Sequence, residues 1–176
     1  MIWIGIDPGL AGGIAMIDDE KDKVNQLKLF RMPIVKESDA HGKNHYVLYH
    51  AELLNILLDV SHINAIAFIE KQHPVSNQGR ASIFSLAFQY GALVHSLVAT
   101  GIKYEIITAK EWQKEFGIKK DEKSDTKQQA AIIATTLFPD AELIPARHRV
   151  LHSGIVDALL IAEYGRRKTI WSGGTP

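Results

Sequence analysis

The opening eighteen residues, MIWIGIDPGLAGGIAMID, leave few folds open. Two short apolar runs, 2–7 (IWIGID) and 12–17 (GGIAMI), flank PGLA, whose proline and glycine suit a tight turn between antiparallel strands. A third run, 27–32 (LKLFRM), can pair beside them after the polar turn DDEKDKVN. The stretch PIVKESDAHGKNH then reads as a polar loop, long enough to be mobile.

Beyond it the periodicity changes. From Tyr46 to about Val60, the leucines Leu53, Leu54, Leu57 and Leu58 fall at helical spacing, and residues 64–70 (NAIAFIE) form an apolar strand ending in an acid. Residues 80–101 carry apolar side chains at helical spacing up to Gly101, a natural stop, before a strand at 103–108 (KYEIIT). Helices are expected at 109–116, at 126–138 where Pro139 ends the pattern, and from about 154 to 168. Three strands in series, followed by strands alternating with helices, predict an α/β fold. It is a mixed five-stranded sheet flanked by helices, antiparallel at one end and parallel at the other. The chain shows no repeat, low-complexity segment or interdomain linker, so its 176 residues are expected to form a single domain spanning 1–176.

Composition narrows the partners only slightly. Twenty Lys and Arg balance twenty Asp and Glu, so net charge is silent about nucleic acid, although a local face can still be positive. The Lys-dense segment 110–127 is interleaved with acids and reads first as a solvated face. No apolar run approaches the ~20 residues of a membrane span and nothing at the start resembles a signal peptide, so a soluble protein with no membrane partner is expected. The absence of cysteine excludes disulfides and thiolate metal sites and suits a reducing cytoplasm.

Three acids stand at the ends of apolar elements. Asp7 ends the first strand, Glu70 ends a later one, and Asp157 sits near the start of the last helix inside HSGIVDALLIAEYGRR. Each alone has a plain structural explanation: a turn hydrogen bond for Asp7, a strand exit for Glu70, a favourable helix dipole for Asp157. If the two strands are neighbours and the helix crosses them, three carboxylates converge and repel one another unless a cation joins them. Hard divalent ions, Mg²⁺ or Mn²⁺, prefer such oxygen ligands, and a pair of them serves phosphodiester hydrolysis.

The ordered set IGIDPGLAGGIA, AIAFIE, QGRASIFSLAFQYGAL, DTKQQA and HSGIVDALLIAEYG resembles the RuvC type of Holliday junction resolvase within the ribonuclease H-like superfamily, most of all its bacteriophage branch. The resemblance runs in order over nearly the whole chain. It implies a ribonuclease H-like fold and a two-metal endonuclease using Mg²⁺ or Mn²⁺. Such an enzyme binds four-way junctions and other branched DNA, usually as a homodimer, and nicks two strands symmetrically in the cytoplasm of a bacterial or phage-infected cell. Asp7, Glu70 and Asp157 match the family's metal-binding acids.

The family also has a ligand, Asp or His, about one turn before the last acid, and here the sequence departs from it. Ser153 precedes Asp157 by four and shares its helical face, but a hydroxyl is a poor substitute for a carboxylate. His152 is the alternative, as a metal ligand or as a general base or acid; a plain loop role is equally open. Phosphate contacts are expected from Lys127, which matches a basic family position, and more loosely from Lys110 and Lys114. Trp112 between those two reads as core. In the loop after Glu70, His73 occupies the neighbourhood where the family carries an aromatic that stacks on opened bases, and Arg80, Gln78 and Ser82 are further phosphate candidates. The 80–101 helix has apolar residues on more than one face, suiting either a large core or a two-fold partner.

Three rival readings stand beside the resolvase reading. The DPGLAGG turn also occurs in actin-like and sugar-kinase-like ATPases, which need two repeated domains that 176 residues cannot hold. A junction-binding protein with weakened or abolished catalysis follows if Ser153 stands in place of a ligand, and a broader branched-DNA or flap nuclease is the other variant.

Overall fold

The structure is a computed structural model. It describes residues 1–21, 26–38, 42–61, 64–74, 79–120, 125–145 and 149–171. The elements are β1 (Ile2–Asp7), β2 (Gly13–Asp18), β3 (Leu27–Arg31), β4 (Ile34–Ser38), β5 (Asn44–Leu48), α1 (His50–Leu58), β6 (Ala65–Glu70), α2 (Arg80–Ala99), β7 (Lys103–Ile107), α3 (Ala109–Glu115), α4 (Thr126–Leu137) and α5 (Ser153–Trp171). Five strands form one sheet in the order β3-β2-β1-β6-β7. β1, β2 and β3 pair antiparallel, and β1, β6 and β7 pair parallel. This is the mixed sheet that the sequence predicts.

The two-residue period of a strand assigns the faces. Ile2, Ile4 and Ile6 of β1, Ile14 and Met16 of β2, and Ala67 and Ile69 of β6 enter one core with Leu53 and Leu57 of α1 and Leu93 and Leu97 of α2. Trp3, Ala15, Ile17 and Phe68 belong to the opposite core, with Ile107, Trp112, Ala130, Ala134 and the α5 run from Ile155 to Ala162. By that parity Asp7 follows Trp3 and Gly5, and Glu70 follows Ile66 and Phe68, so both acids lie on the α5 side.

Helix α5 lies against β1 and β2 closely enough to forbid side chains at the crossing. A Cβ on Gly5 would overlap the backbone of Ala158 and Ala162, and one on Gly154 would overlap Ala11 and Gly12. Gly12 and Gly154 also form a parallel β-bridge, which stitches the start of α5 to the β1–β2 turn. Gly154, Ala158 and Ala162 recur every four residues, so one small-residue stripe of α5 faces the sheet.

Two sequence expectations require correction. The stretch expected to be a polar loop forms an antiparallel hairpin, β4 with β5, pairing Ile34 with Leu48 and Ser38 with Asn44. The helix expected from Tyr46 begins at His50, because Tyr46, Val47 and Leu48 are β-prone residues committed to β5. The hairpin escapes detection because Val35 to Ser38 and Asn44 to Tyr46 are exposed, leaving little hydrophobic alternation to read. In addition, α2 is long and apolar enough by length and composition to cross a membrane. Ser82, Ser85, Gln89, His95 and Ser96 break its apolar run, so no uninterrupted apolar stretch of that length stands in the sequence. Much of α2 faces outward, with Phe84 74% and Phe88 61% exposed and their rings stacked at 6.4 Å.

Candidate metal and DNA site

Asp7 and Glu70 end adjacent parallel strands. The register pairs Ile6 with Ile69, which brings the two acids level at the same end of the sheet. Asp157 lies one turn into α5, and the Gly12–Gly154 bridge holds that turn over the sheet end. The three carboxylates are half-buried and feel one another's charge. Burial pushes the Asp7 carboxyl up from 3.8 to about 6, and Glu70 adds to the rise, while the Gly9 N–H and Lys127 oppose it. Burial likewise raises Asp157 to about 7, helped by the charges of Asp7 and Glu70 and opposed by Lys127. Glu70 is also raised, by burial, against the hydrogen bond it accepts from Trp112. Such a group is an acidic patch short of positive charge, and perturbed acids of this kind cluster at functional sites.

Among the described residues, no three His, Asp or Glu side chains stand close enough to form a ready-made cage for a metal ion. The donor chemistry nevertheless fits a hard divalent cation: carboxylate oxygens only, partly desolvated, each disfavoured as an anion in the absence of added positive charge.

The other sequence candidates fall around this group unevenly. Lys127 is exposed in the first turn of α4, capped by Asp125, and its charge reaches both Asp7 and Asp157. Lys119 is held to α4 by Gln129, whose amide donates to the Lys119 carbonyl at 2.7 Å and accepts from the Lys119 N–H at 3.1 Å. Lys110 and Lys114 are exposed on α3, His73 is exposed after β6, and Arg80 is exposed at the start of α2. Gln78 lies outside the described residues, and Ser82 is exposed on α2.

Ser153 is exposed as the first residue of α5. His152 caps that helix: its Nδ1 accepts from the Ile155 N–H at 3.3 Å, and its carbonyl accepts from Ile155 and Val156. Its own N–H donates to the Leu143 carbonyl at 3.0 Å. One imidazole nitrogen is thus committed to structure.

Sequence reasoning missed two contributors. Trp112, expected in the core, is buried there, and it also donates its indole N–H to Glu70 Oε2 at 2.7 Å. Gly154 is, with Gly5, a contact point that sets the depth of α5. The Trp112 bond leaves no trace in sequence spacing, whereas four small residues, Gly12, Gly13, Gly154 and Ala158, were a visible sign of close approach.

A mixed sheet with α5 and two further helices on one face and α1 and α2 on the other, bearing acids on neighbouring strand ends, defines the ribonuclease H-like class of fold. Solved structures share this fold. The chain is similar to T. thermophilus RuvC in complex with Holliday junction substrate, at 15% identity and a TM-score of 0.58, covering 99% of this chain and 98% of that one. It is similar also to a second Thermus thermophilus RuvC structure, at 14% identity and a TM-score of 0.55, with 96% of each chain covered. No family model and no curated protein matches the sequence. The likeness is one of fold, and it extends over the full length of both chains.

Proposed function

We propose that this protein is a metal-dependent endonuclease that resolves four-way DNA junctions by symmetric nicking as a homodimer. The single observation that carries the reading is the placing of Asp7, Glu70 and Asp157 toward one end of the sheet, each raised by burial, Asp7 further by the charge of Glu70 and Asp157 further by both. Support comes from the full-length fold likeness to a RuvC bound to a Holliday junction, and from the resemblance of the ordered motifs to the bacteriophage branch of that family.

In this reading Asp7, Glu70 and Asp157 would hold two divalent ions, Mg²⁺ or Mn²⁺, and the chemistry these would supply there is activation of water and stabilisation of charge on the scissile phosphate. The protein's own contributions are separable. Lys127 lies beside the acids, holds down the raised carboxyls of Asp7 and Asp157, and offers a phosphate contact at the site. Lys110, Lys114, Arg80 and His73 supply outer contacts to the junction arms. The exposed Phe84–Phe88 face of α2 serves the second copy, whose two-fold axis would match that of a junction.

A second reading has its own observation. Ser153 sits exposed where a fourth ligand is expected and His152 spends Nδ1 on the helix cap, which favours a protein that binds junctions but cuts them slowly. A labelled four-way junction incubated with Mg²⁺ or Mn²⁺ decides between them. Paired symmetric nicks, lost in Asp7→Asn, support the nuclease; tight binding without nicks supports the second reading; no affinity for the junction refutes both.

A further inference from the structure

Glu70 stands at a strand end, half-buried, among other carboxylates. A carboxylate in that position needs a hydrogen-bond donor to fix it, and the choice of donor has electrostatic consequences. Lys or Arg would neutralise the charge and occupy the place of a cation. An indole has one N–H, no charge and a large apolar body that locks into a core, so it can orient an anion without cancelling it.

The structure supplies that donor on a rigid mount. Trp112 is 2% exposed, and its Nε1 lies 2.7 Å from Glu70 Oε2, the only hydrogen bond to the Glu70 side chain among the described residues. α3, which carries it, is clamped at both ends. At its start the Thr108–Glu111 capping box joins the helix directly to β7: the Thr108 N–H donates to Glu111 Oε2 at 2.6 Å and the Glu111 N–H to Thr108 Oγ1 at 3.3 Å. β7 itself is held to β6 beyond Glu70, where the Lys71 N–H donates to the Ile107 carbonyl at 2.7 Å. At the far end, Arg167 of α5 lies 4.9 Å over the Phe116 ring and pairs with Glu115 at 3.5 Å. The same helix carries Lys110 and Lys114 exposed, two residues either side of the buried indole.

We infer that Trp112 is a positioning residue that holds the Glu70 carboxylate in one orientation, by a neutral hydrogen bond to Oε2, so that its remaining oxygen serves a divalent cation. The inference rests on the proposed metal-dependent function and deepens it. Partners that orient a metal ligand in this way are worth roughly 10–100-fold in metal affinity or activity.

The test replaces the N–H and little else. Trp112→Phe removes the donor but also leaves space in the core. A second protein therefore carries 3-benzothienylalanine at position 112, a shape match with sulfur in place of N–H. In both, Mn²⁺ binding measured by isothermal titration is expected to weaken roughly 10-fold or more, and kcat on a labelled junction to fall by a similar factor. KM is expected to stay within about twofold, because the phosphate contacts are untouched. Wild-type Mn²⁺ affinity and kcat in the folded isostere protein would overturn the inference. A wild-type protein that neither binds Mn²⁺ nor cuts junctions would refute the functional reading instead. The positioning role is then judged from NMR couplings of the Glu70 side chain without metal. One rotamer in the wild type and averaging in the isostere protein supports it; equal behaviour in the two overturns it.

Discussion

Replacing Asp157 with asparagine should stabilise the metal-free protein while removing any cleavage. The carboxyl of Asp157 titrates at about 7 in the folded chain against an ordinary 3.8, chiefly through burial and then through Asp7 and Glu70. Between those values the folded protein keeps a proton that an unfolded chain has released. Stability is therefore greatest below this window and declines as pH rises through about 7. At pH 8 the ionised form opposes folding, at ~1.4 kcal/mol for each tenfold difference, which sets a ceiling of ~4 kcal/mol. Asp157 is only half-buried, and screening by water and salt brings this down to ~1–2 kcal/mol. Asparagine keeps the shape and discards the charge. In a chain of this size 1 kcal/mol corresponds to ~2–4 °C in Tm. Asp157→Asn should thus melt about 2–8 °C higher than the wild type at pH 8 without divalent metal. The gap should narrow steadily toward pH 4, and Mg²⁺ at pH 8 should raise the wild-type Tm but not that of the variant. Calorimetry at pH 8, 6 and 4, with and without Mg²⁺, reads all three. A variant that melts at or below the wild type at pH 8, or a difference independent of pH, would refute the argument that these acids are held together at the expense of stability.

Gly154→Ala should do the opposite. Its methyl group would meet the Ala11 and Gly12 backbone, which cannot yield, so a loss of ~3 kcal/mol or more is expected in denaturant melts. Gly79→Ala, with nothing within 4 Å of the added methyl and an ordinary φ of −65°, serves as the control and should lose no more than ~1 kcal/mol, the cost of alanine at the α2 N-cap. Ser153→Asp should raise Mg²⁺-dependent junction cleavage about tenfold by adding an oxygen ligand on the Asp157 face; no gain, together with loss in His152→Ala, would transfer that role to His152. Lys127→Gln should drive the Asp7 and Asp157 carboxyls further up, seen as higher titration midpoints by carboxyl NMR, and should lower the salt dependence of junction binding by about one ion.

Much of the fold could be read from apolar periodicity, because strands and helices that build a core must show it. The alternation in IWIGID and AIAFIE already carries Asp7 and Glu70 to the same side as Trp3 and Phe68, so two members of the site follow from parity once the strands are known to be neighbours. Helix α5 was legible for the same reason. β4 and β5 were not, since a hairpin exposed over most of its length has no buried face to impose a pattern. Trp112 marks another boundary. Its burial was readable from composition, but the direction of its N–H depends on the angle at which α3 leaves β7, and that angle is set by the Thr108–Glu111 cap and the Arg167 contacts. His152 shows the converse, a residue whose chemistry invited a site role and whose Nδ1 is engaged by the backbone of α5.

The bridge between Gly12 and Gly154 joins the first turn of the chain to its last helix. During synthesis, β1 and β2 leave the ribosome long before α5 exists, and until residues 153–171 have been made the sheet face bearing Asp7 and Glu70, which α3 and α4 share, lacks the helix that packs most closely on it. Contacts of such long sequence separation form late. Asp157 consequently joins Asp7 and Glu70 only when α5 docks, so a growing or truncated chain lacking α5 would present the strands and two of the three acids but not the third.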